Sequence, residues 1–184
     1  MKPDTLVFSW GNPSRGDDAL GPLFAEAIDA LQLPGVECLT DFQLQVEHAL
    51  DLVGRRRVLF VDASMAADTP FSVRRLGPRR DASFTSHAMT PEAILQVYAD
   101  TQNDEPPPAW LLGIRGNRWE LGDAPSQTAL NSLDAAVRWA RQWLAGVPGV
   151  GEDGLSEAQA KRVSQPDEAD EGRGAGGSRA PAQG

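Results

Sequence analysis

The chain carries one cysteine, Cys38, in 184 residues. That excludes an internal disulfide and a cluster of thiolate metal ligands, and it suits a reducing compartment. Positive charge is also scarce. Lys and Arg number 17 against 26 Asp and Glu, leaving a net charge of -9. The basic residues form only short runs, Arg55-Arg56-Arg57 and Arg74-Arg75 through Arg79-Arg80. A nucleic-acid binder draws its affinity from neutralising phosphates along a basic stripe, so these runs read as loop and strand-end charges, and no nucleic-acid partner is expected. No apolar stretch approaches the roughly 18 residues needed to cross a bilayer, so no membrane insertion is expected. The start, Met1-Lys2-Pro3-Asp4, shows no apolar segment of a signal peptide, and the expected location is the cytoplasm. Several reaction motifs are missing too. Without Gly-x-Ser-x-Gly, a serine hydrolase of the strand-turn-helix kind is disfavoured. Neither His-Glu-x-x-His nor Cys-x-x-Cys occurs, and the Gly-x-Gly-x-x-Gly and phosphate-loop spacings of nucleotide binders are absent.

What is present is an ordinary globular composition, 41% apolar and 23% charged, long enough for one domain with one core. Composition changes near Gly146. Residues 147–184 are rich in Gly, Ala, Ser, Asp and Glu, with Val147, Val150, Leu155 and Val163 as the sizeable apolar residues. Such a segment buries too little surface to offset its ordering entropy. The reading is a domain over 1–146 and a disordered tail over 147–184, with no internal repeat.

Strand and helix signals alternate through the domain. Leu6-Val7-Phe8 is a short apolar run closed by Gly11 and Pro13, a buried strand. Leu20, Leu23, Phe24, Ala27, Ile28 and Leu31 recur at helical spacing and give one apolar face. Pro34-Gly35 stops that helix before a second strand at 36–39. Val46, Ala49, Leu50 and Val53 predict a second amphipathic helix ended by Gly54. Val58-Leu59-Phe60-Val61 is apolar at every position, as in a parallel strand covered on both faces. Residues 71–76 alternate and lead into Gly-Pro, which predicts an edge strand. Thr90-Pro91-Glu92 supplies an N-cap, a first-turn proline and an acid, so a third helix follows through Tyr98. Trp110-Leu111-Leu112-Gly113-Ile114 is the last strand. Ser126 can cap a final helix faced by Leu130, Leu133, Val137, Ala140 and Leu144. The order β-α-β-α-β-β-α-β-α implies an α/β fold of three layers, α-β-α, around a mostly parallel, five-stranded twisted sheet.

Open α/β sheets bind ligands outside the carboxyl ends of their strands. Three polar positions fall there. The loop after the first strand reads Gly11-Asn12-Pro13-Ser14-Arg15-Gly16-Asp17-Asp18, the third strand runs into Asp62, and His87 precedes the third helix. Two carboxylates and an imidazole can hold a divalent transition metal and leave coordination positions open. Each residue also has a plainer role. Asp17 or Asp18 can cap the first helix, Asp62 can form a turn, and His87 can be a hydrogen-bonded structural group. Spacing alone leaves both readings open. Ser64 and Ser86 read as ordinary loop serines, Cys38 as a small core residue, and His48 as structural or surface-exposed.

The stretch from residue 5 to 145 resembles the hydrogenase maturation protease family. The resemblance rests first on Trp10-Gly11-Asn12-Pro13-Ser14-Arg15-Gly16-Asp17-Asp18-Ala19-Leu20-Gly21-Pro22, similar to the family's Gly-Asn-x-x-x-x-Asp-acid-x-x-Gly signature. It rests further on Leu59-Phe60-Val61-Asp62-Ala63, on Ser86-His87 ahead of a helix, and on Gly113-Ile114-Arg115 followed by Glu120-Leu121-Gly122. The resemblance implies a metal site of Asp18, Asp62 and His87, with Asp17 as a secondary candidate. It implies an endopeptidase that removes the C-terminal extension of the nickel-loaded [NiFe]-hydrogenase large-subunit precursor. The nickel would come from that client protein, and zinc or cadmium could substitute. Asp41-Phe42-Gln43-Leu44-Gln45-Val46-Glu47-His48 looks most like the subgroup serving soluble NAD-reducing hydrogenases. The expected partner is the precursor, and the protease itself is expected to be a monomer. Two other readings stand beside it, a non-catalytic module that holds the loaded precursor and a flavodoxin-like cofactor binder. Metal at such a site can signal nickel insertion or polarise the scissile carbonyl, and the residues leave both open.

Overall fold

The computed structural model describes residues 2–68, 70–80, 89–146 and 150. Five strands form one sheet: β1 (Thr5–Trp10), β2 (Val36–Asp41), β3 (Arg57–Ser64), β4 (Phe71–Leu76) and β5 (Ala109–Arg115), in the order β2-β1-β3-β5-β4. All neighbours are parallel except β4, which runs antiparallel to β5 at the edge. The chain between β3 and β4 is too short for a crossover helix, so β4 can only return in the opposite direction. At the sheet centre Val58, Leu59, Phe60 and Val61 are all 0% exposed, which accounts for their unbroken apolar run.

Three α-helices cover the sheet: α1 (Leu20–Asp29), α2 (Pro91–Gln102) and α3 (Gln127–Leu144). Successive strand residues point to opposite faces, so β1 divides its side chains between two cores. Val7 joins Leu59, Val61 and Leu112 beneath α1 and α3. Leu6 and Phe8 join Val58 and Phe60 beneath α2 and a 3-10 helix, η2 (Val46–Leu52). The α/β layering expected from the element order is therefore present. Thr90 accepts the Ala93 amide at 3.2 Å and Ser126 accepts the Ala129 amide at 3.3 Å, so both anticipated caps form. α2 runs past Tyr98 to Gln102 and stops where Asn103 turns left-handed at φ 54°.

Two local expectations fail. The second amphipathic helix is the 3-10 helix η2. Ala49 and Leu52, three residues apart, turn inward together, while Leu50 stands 60% exposed and Val46, at the helix's first position, 55%. β3 also continues beyond Asp62 to Ser64, because Asp62, Ala63 and Ser64 still pair with Gly113, Ile114 and Arg115 of β5. At the amino end of the sheet, Arg57 ties the layers together. Its guanidinium donates to the α3 carbonyls of Trp143 at 3.2 Å and Leu144 at 2.9 Å, and lies 4.3 Å from the Trp143 ring centroid.

Val150 packs half-buried against the first core. The rest of the anticipated tail, residues 147–149 and 151–184, lies outside the described residues. Among the described residues no helix is long and apolar enough to cross a membrane.

Candidate active site

The loop after β1 folds back on itself through its glycines. Gly11 sits at φ +145°, and a Cβ there would lie 2.1 Å from the Asp18 carbonyl oxygen. Gly16, at φ +52°, opens a short 3-10 turn, η1 (Gly16–Ala19), against the Arg118 carbonyl. Such positions exclude a side chain, so the spacing of the motif is a packing requirement. Within the loop the Ser14 amide donates to Asn12 Oδ1 at 2.9 Å, and the Asn12 amide donates to Asp18 Oδ2 at 3.0 Å. Asp18 is thus held by a backbone bond seven residues behind the end of η1, half-exposed at the carboxyl end of the sheet.

Its neighbour has a different task. Asp17 is fully buried. Its Oδ1 accepts the Ser126 amide at 2.6 Å, and its Oδ2 accepts the amides of Asn117 at 2.7 Å and Arg118 at 3.0 Å and the Ser126 hydroxyl at 3.0 Å. Burial pushes this carboxyl up, but the bonds from Asn117, Ser126 and Arg118 outweigh it and hold it below the usual carboxylate range. Neither Asp17 nor Asp18 caps a helix: no side-chain cap bond is made at η1 or at α1. Asp17 instead fastens the acid loop to the segment between β5 and α3.

Asp62 lies on β3, one strand away from the loop it faces. Its carboxyl is pushed up to about 7, first by burial and second by the negative charge of Asp18. Hydrogen bonds from the Ala63 amide and the Trp10 side chain pull the other way. The charge of Asp18 therefore reaches Asp62, which spacing in the sequence could not establish. Two carboxylates that repel each other at the carboxyl edge of a sheet form a site suited to a cation. Oxygen donors of this kind, completed by an imidazole, match a divalent transition metal.

His87 lies outside the described residues. The chain resumes at Met89, whose amide donates to Leu44 O at 3.1 Å in the loop after β2. Among the described residues, no group of three His, Cys, Asp or Glu side chains could hold a metal. Ser86 also falls outside them, while Ser64 ends β3 and accepts the Ala66 amide at 3.2 Å.

His48 is a structural group. Its Nδ1 accepts the Gln45 amide at 2.9 Å, its Nε2 lies 3.3 Å from Asp41 Oδ2, and its ring packs 4.6 Å from that of Phe8. Cys38 is half-buried in β2 against the first core, and its thiol is pushed up to about 11 by burial and then by Asp29 and Glu37. A thiol in that state is a poor nucleophile at neutral pH. Sequence reasoning passed over Trp10 as a partner of Asp62 and over Asn117, Arg118 and Ser126 as partners of Asp17. These contacts join residues that stand 52 to about 110 positions apart, and no local pattern announces them.

No family model and no curated protein matches the chain. Solved structures do. A [NiFe] hydrogenase maturation protease, HycI from Thermococcus kodakarensis, superposes with a TM-score of 0.60 at 19% identity, covering 78% of this chain and 94% of that one. The hydrogenase maturating endopeptidase HybD from E. coli gives a TM-score of 0.58 at 20% identity, over 84% and 98%. A hydrogenase 2 maturation peptidase from a Thaumarchaeota archaeon gives 0.56 at 23%, over 76% and 97%. The fold is that of these peptidases. Each of them is covered almost end to end by residues of this chain, so the likeness extends to the whole domain and is not confined to a shared half-sheet.

Proposed function

We propose that this chain is an endopeptidase that removes the C-terminal extension of the nickel-loaded [NiFe]-hydrogenase large-subunit precursor. The observation that carries the reading is the juxtaposition of Asp18 and Asp62 at the carboxyl edge of a sheet whose fold recurs in hydrogenase maturation peptidases. In this reading Asp18, Asp62 and His87 receive the client's nickel. Zinc or cadmium can stand in for it, since the donor set does not discriminate sharply among such ions. Asp17 serves the site from behind by fixing the acid loop. The nickel belongs to the substrate and, once bound, supplies a positive centre between the two carboxylates. The segment 41–48, which resembles that of the soluble NAD-reducing subgroup, lies at the same rim and would contact the client there. The protease acts as a monomer in the cytoplasm.

The direct test is Asp62→Asn. Nickel-loaded precursor is incubated with wild-type protein and with the variant, and its mass is followed. Wild-type protein should release a C-terminal peptide, and the variant should release none. Equal release by both would remove Asp62 from the site. Binding of the precursor by wild-type protein without release would replace the protease with a holding module.

A further inference from the structure

Among the described residues, six large apolar side chains stand exposed: Phe42, Val46, Leu50, Val53, Met65 and Leu121. None lies in α1, α2, α3 or a strand. Three of them sit on loops at the carboxyl end of the sheet, at 63% to 74% exposure. Backbone hydrogen bonds fix where they stand. The Gly11 amide donates to Asp41 O at 3.1 Å, which sets Phe42 beside the start of the acid loop. The Gly122 amide donates to Ser14 O at 2.8 Å, which sets Leu121 beside that loop's outer turn. The Gly116 amide donates to Ser64 O at 3.2 Å and brings Met65 to the same rim. Asp18 stands in η1 at the end of the acid loop, and Asp62 stands on β3 two residues before Ser64, so both acids share this end of the sheet. Among the described residues neither forms an ion pair with Lys, Arg or His.

An isolated apolar side chain on a surface means little, but several around one polar site mark a place where something docks. Charge decides what. The two acids at this end of the sheet are uncompensated, and the chain as a whole carries a net charge of -9. A second copy of this chain would bring like charge against like, and a nucleic acid would bring phosphates. The complementary occupant carries a cation at one point and apolar side chains on either side of it. We infer that Phe42, Met65 and Leu121 form a docking collar that grips apolar residues of a metal-bearing polypeptide while Asp18 and Asp62 face its cation. This rests on the processing reading and names the surface that recognises the client.

The test compares full-length wild-type protein with the triple variant Phe42→Ser/Met65→Ser/Leu121→Ser. Val53→Ser is the control. It is an exposed apolar residue at the opposite end of the sheet, where the neighbouring Arg55 donates to Pro3 O. The probe is the nickel-loaded large-subunit precursor of a soluble NAD-reducing hydrogenase. The readouts are KM and kcat for peptide release, with melting temperature as the check on folding. The triple variant should raise KM at least about tenfold with kcat within about twofold of wild type, while Val53→Ser leaves both unchanged. Wild-type cleavage matched by the triple variant would remove the collar and leave the protease. Absence of both binding and cleavage by wild-type protein would remove the protease and the collar's occupant together. A wild-type dimer that the triple variant dissociates on a sizing column would make the collar a self-association surface and overturn the inference.

Discussion

Ser126 gives Asp17 two hydrogen bonds, from its amide to Oδ1 at 2.6 Å and from its hydroxyl to Oδ2 at 3.0 Å. The same hydroxyl accepts the Ala129 amide and so caps α3. One buried carboxylate thereby fixes both the acid loop after β1 and the start of the last helix. Asp17→Asn replaces one acceptor oxygen by an amide group facing N–H donors. It should cost about 3 kcal/mol of stability at pH 7, measured by denaturant unfolding.

The pH dependence of that loss has a definite sign. The folded-state pKa of Asp17 is lowered, so its contribution is complete above the unfolded-state value of 3.8 and disappears as pH falls through the folded value. The stability gap between wild type and Asp17→Asn should hold steady from pH 7 to about 5 and then shrink on further acidification. A gap that widens in acid would show that the carboxylate is not stabilised in the folded state.

Gly11→Ala tests the loop more sharply. The added Cβ would meet the Asp18 carbonyl oxygen at 2.1 Å in a backbone conformation that side chains rarely adopt. Displacing that carbonyl moves the half of the acid pair that Asn12 holds. A destabilisation of about 2 kcal/mol or more, together with loss of precursor processing, is expected. Full processing by the alanine variant would separate the loop's geometry from the chemistry.

Arg57→Ala should do the reverse. Arg57 serves Thr5, the last carbonyls of α3 and the Trp143 ring at the amino end of the sheet, away from the acids. Its removal should lower stability by about 2–3 kcal/mol and leave processing unchanged at temperatures where the variant remains folded. A drop in kcat at such temperatures would reveal coupling between the two ends of the sheet.

The sequence carried the layer order because the strands differ in kind. The unbroken run 58–61 marks a strand covered on both faces, and the threonine before α2 and the proline that opens it announce its start. The segment 46–53 misled because its apolar residues fit a 3.6-residue period while the chain forms a 3-10 helix that buries Ala49 and Leu52 and leaves Val46, at its start, and Leu50 exposed. At the site, Asp18 and Asp62 could be named from a motif and a strand end, but their mutual repulsion depends on β1 and β3 lying side by side. The capping role open to Asp17 was a sound local reading that lost to long-range donors. Four hydrogen bonds from residues 117, 118 and 126 satisfy its carboxylate better than one helix end could. The third proposed ligand, His87, was named from its place ahead of the third helix and from the family resemblance, and it lies outside the described residues.

The most direct test of the account is a cleavage assay on paired substrates. The large-subunit precursor of a soluble NAD-reducing hydrogenase is prepared with and without nickel, and each form is incubated with wild-type protein and with His87→Ala. Mass spectrometry follows the precursor. Wild-type protein should remove the C-terminal peptide from the nickel-loaded form alone, and His87→Ala should remove it from neither. Release from both forms at equal rates, or undiminished release by His87→Ala, would contradict a nickel-reading site built from Asp18, Asp62 and His87.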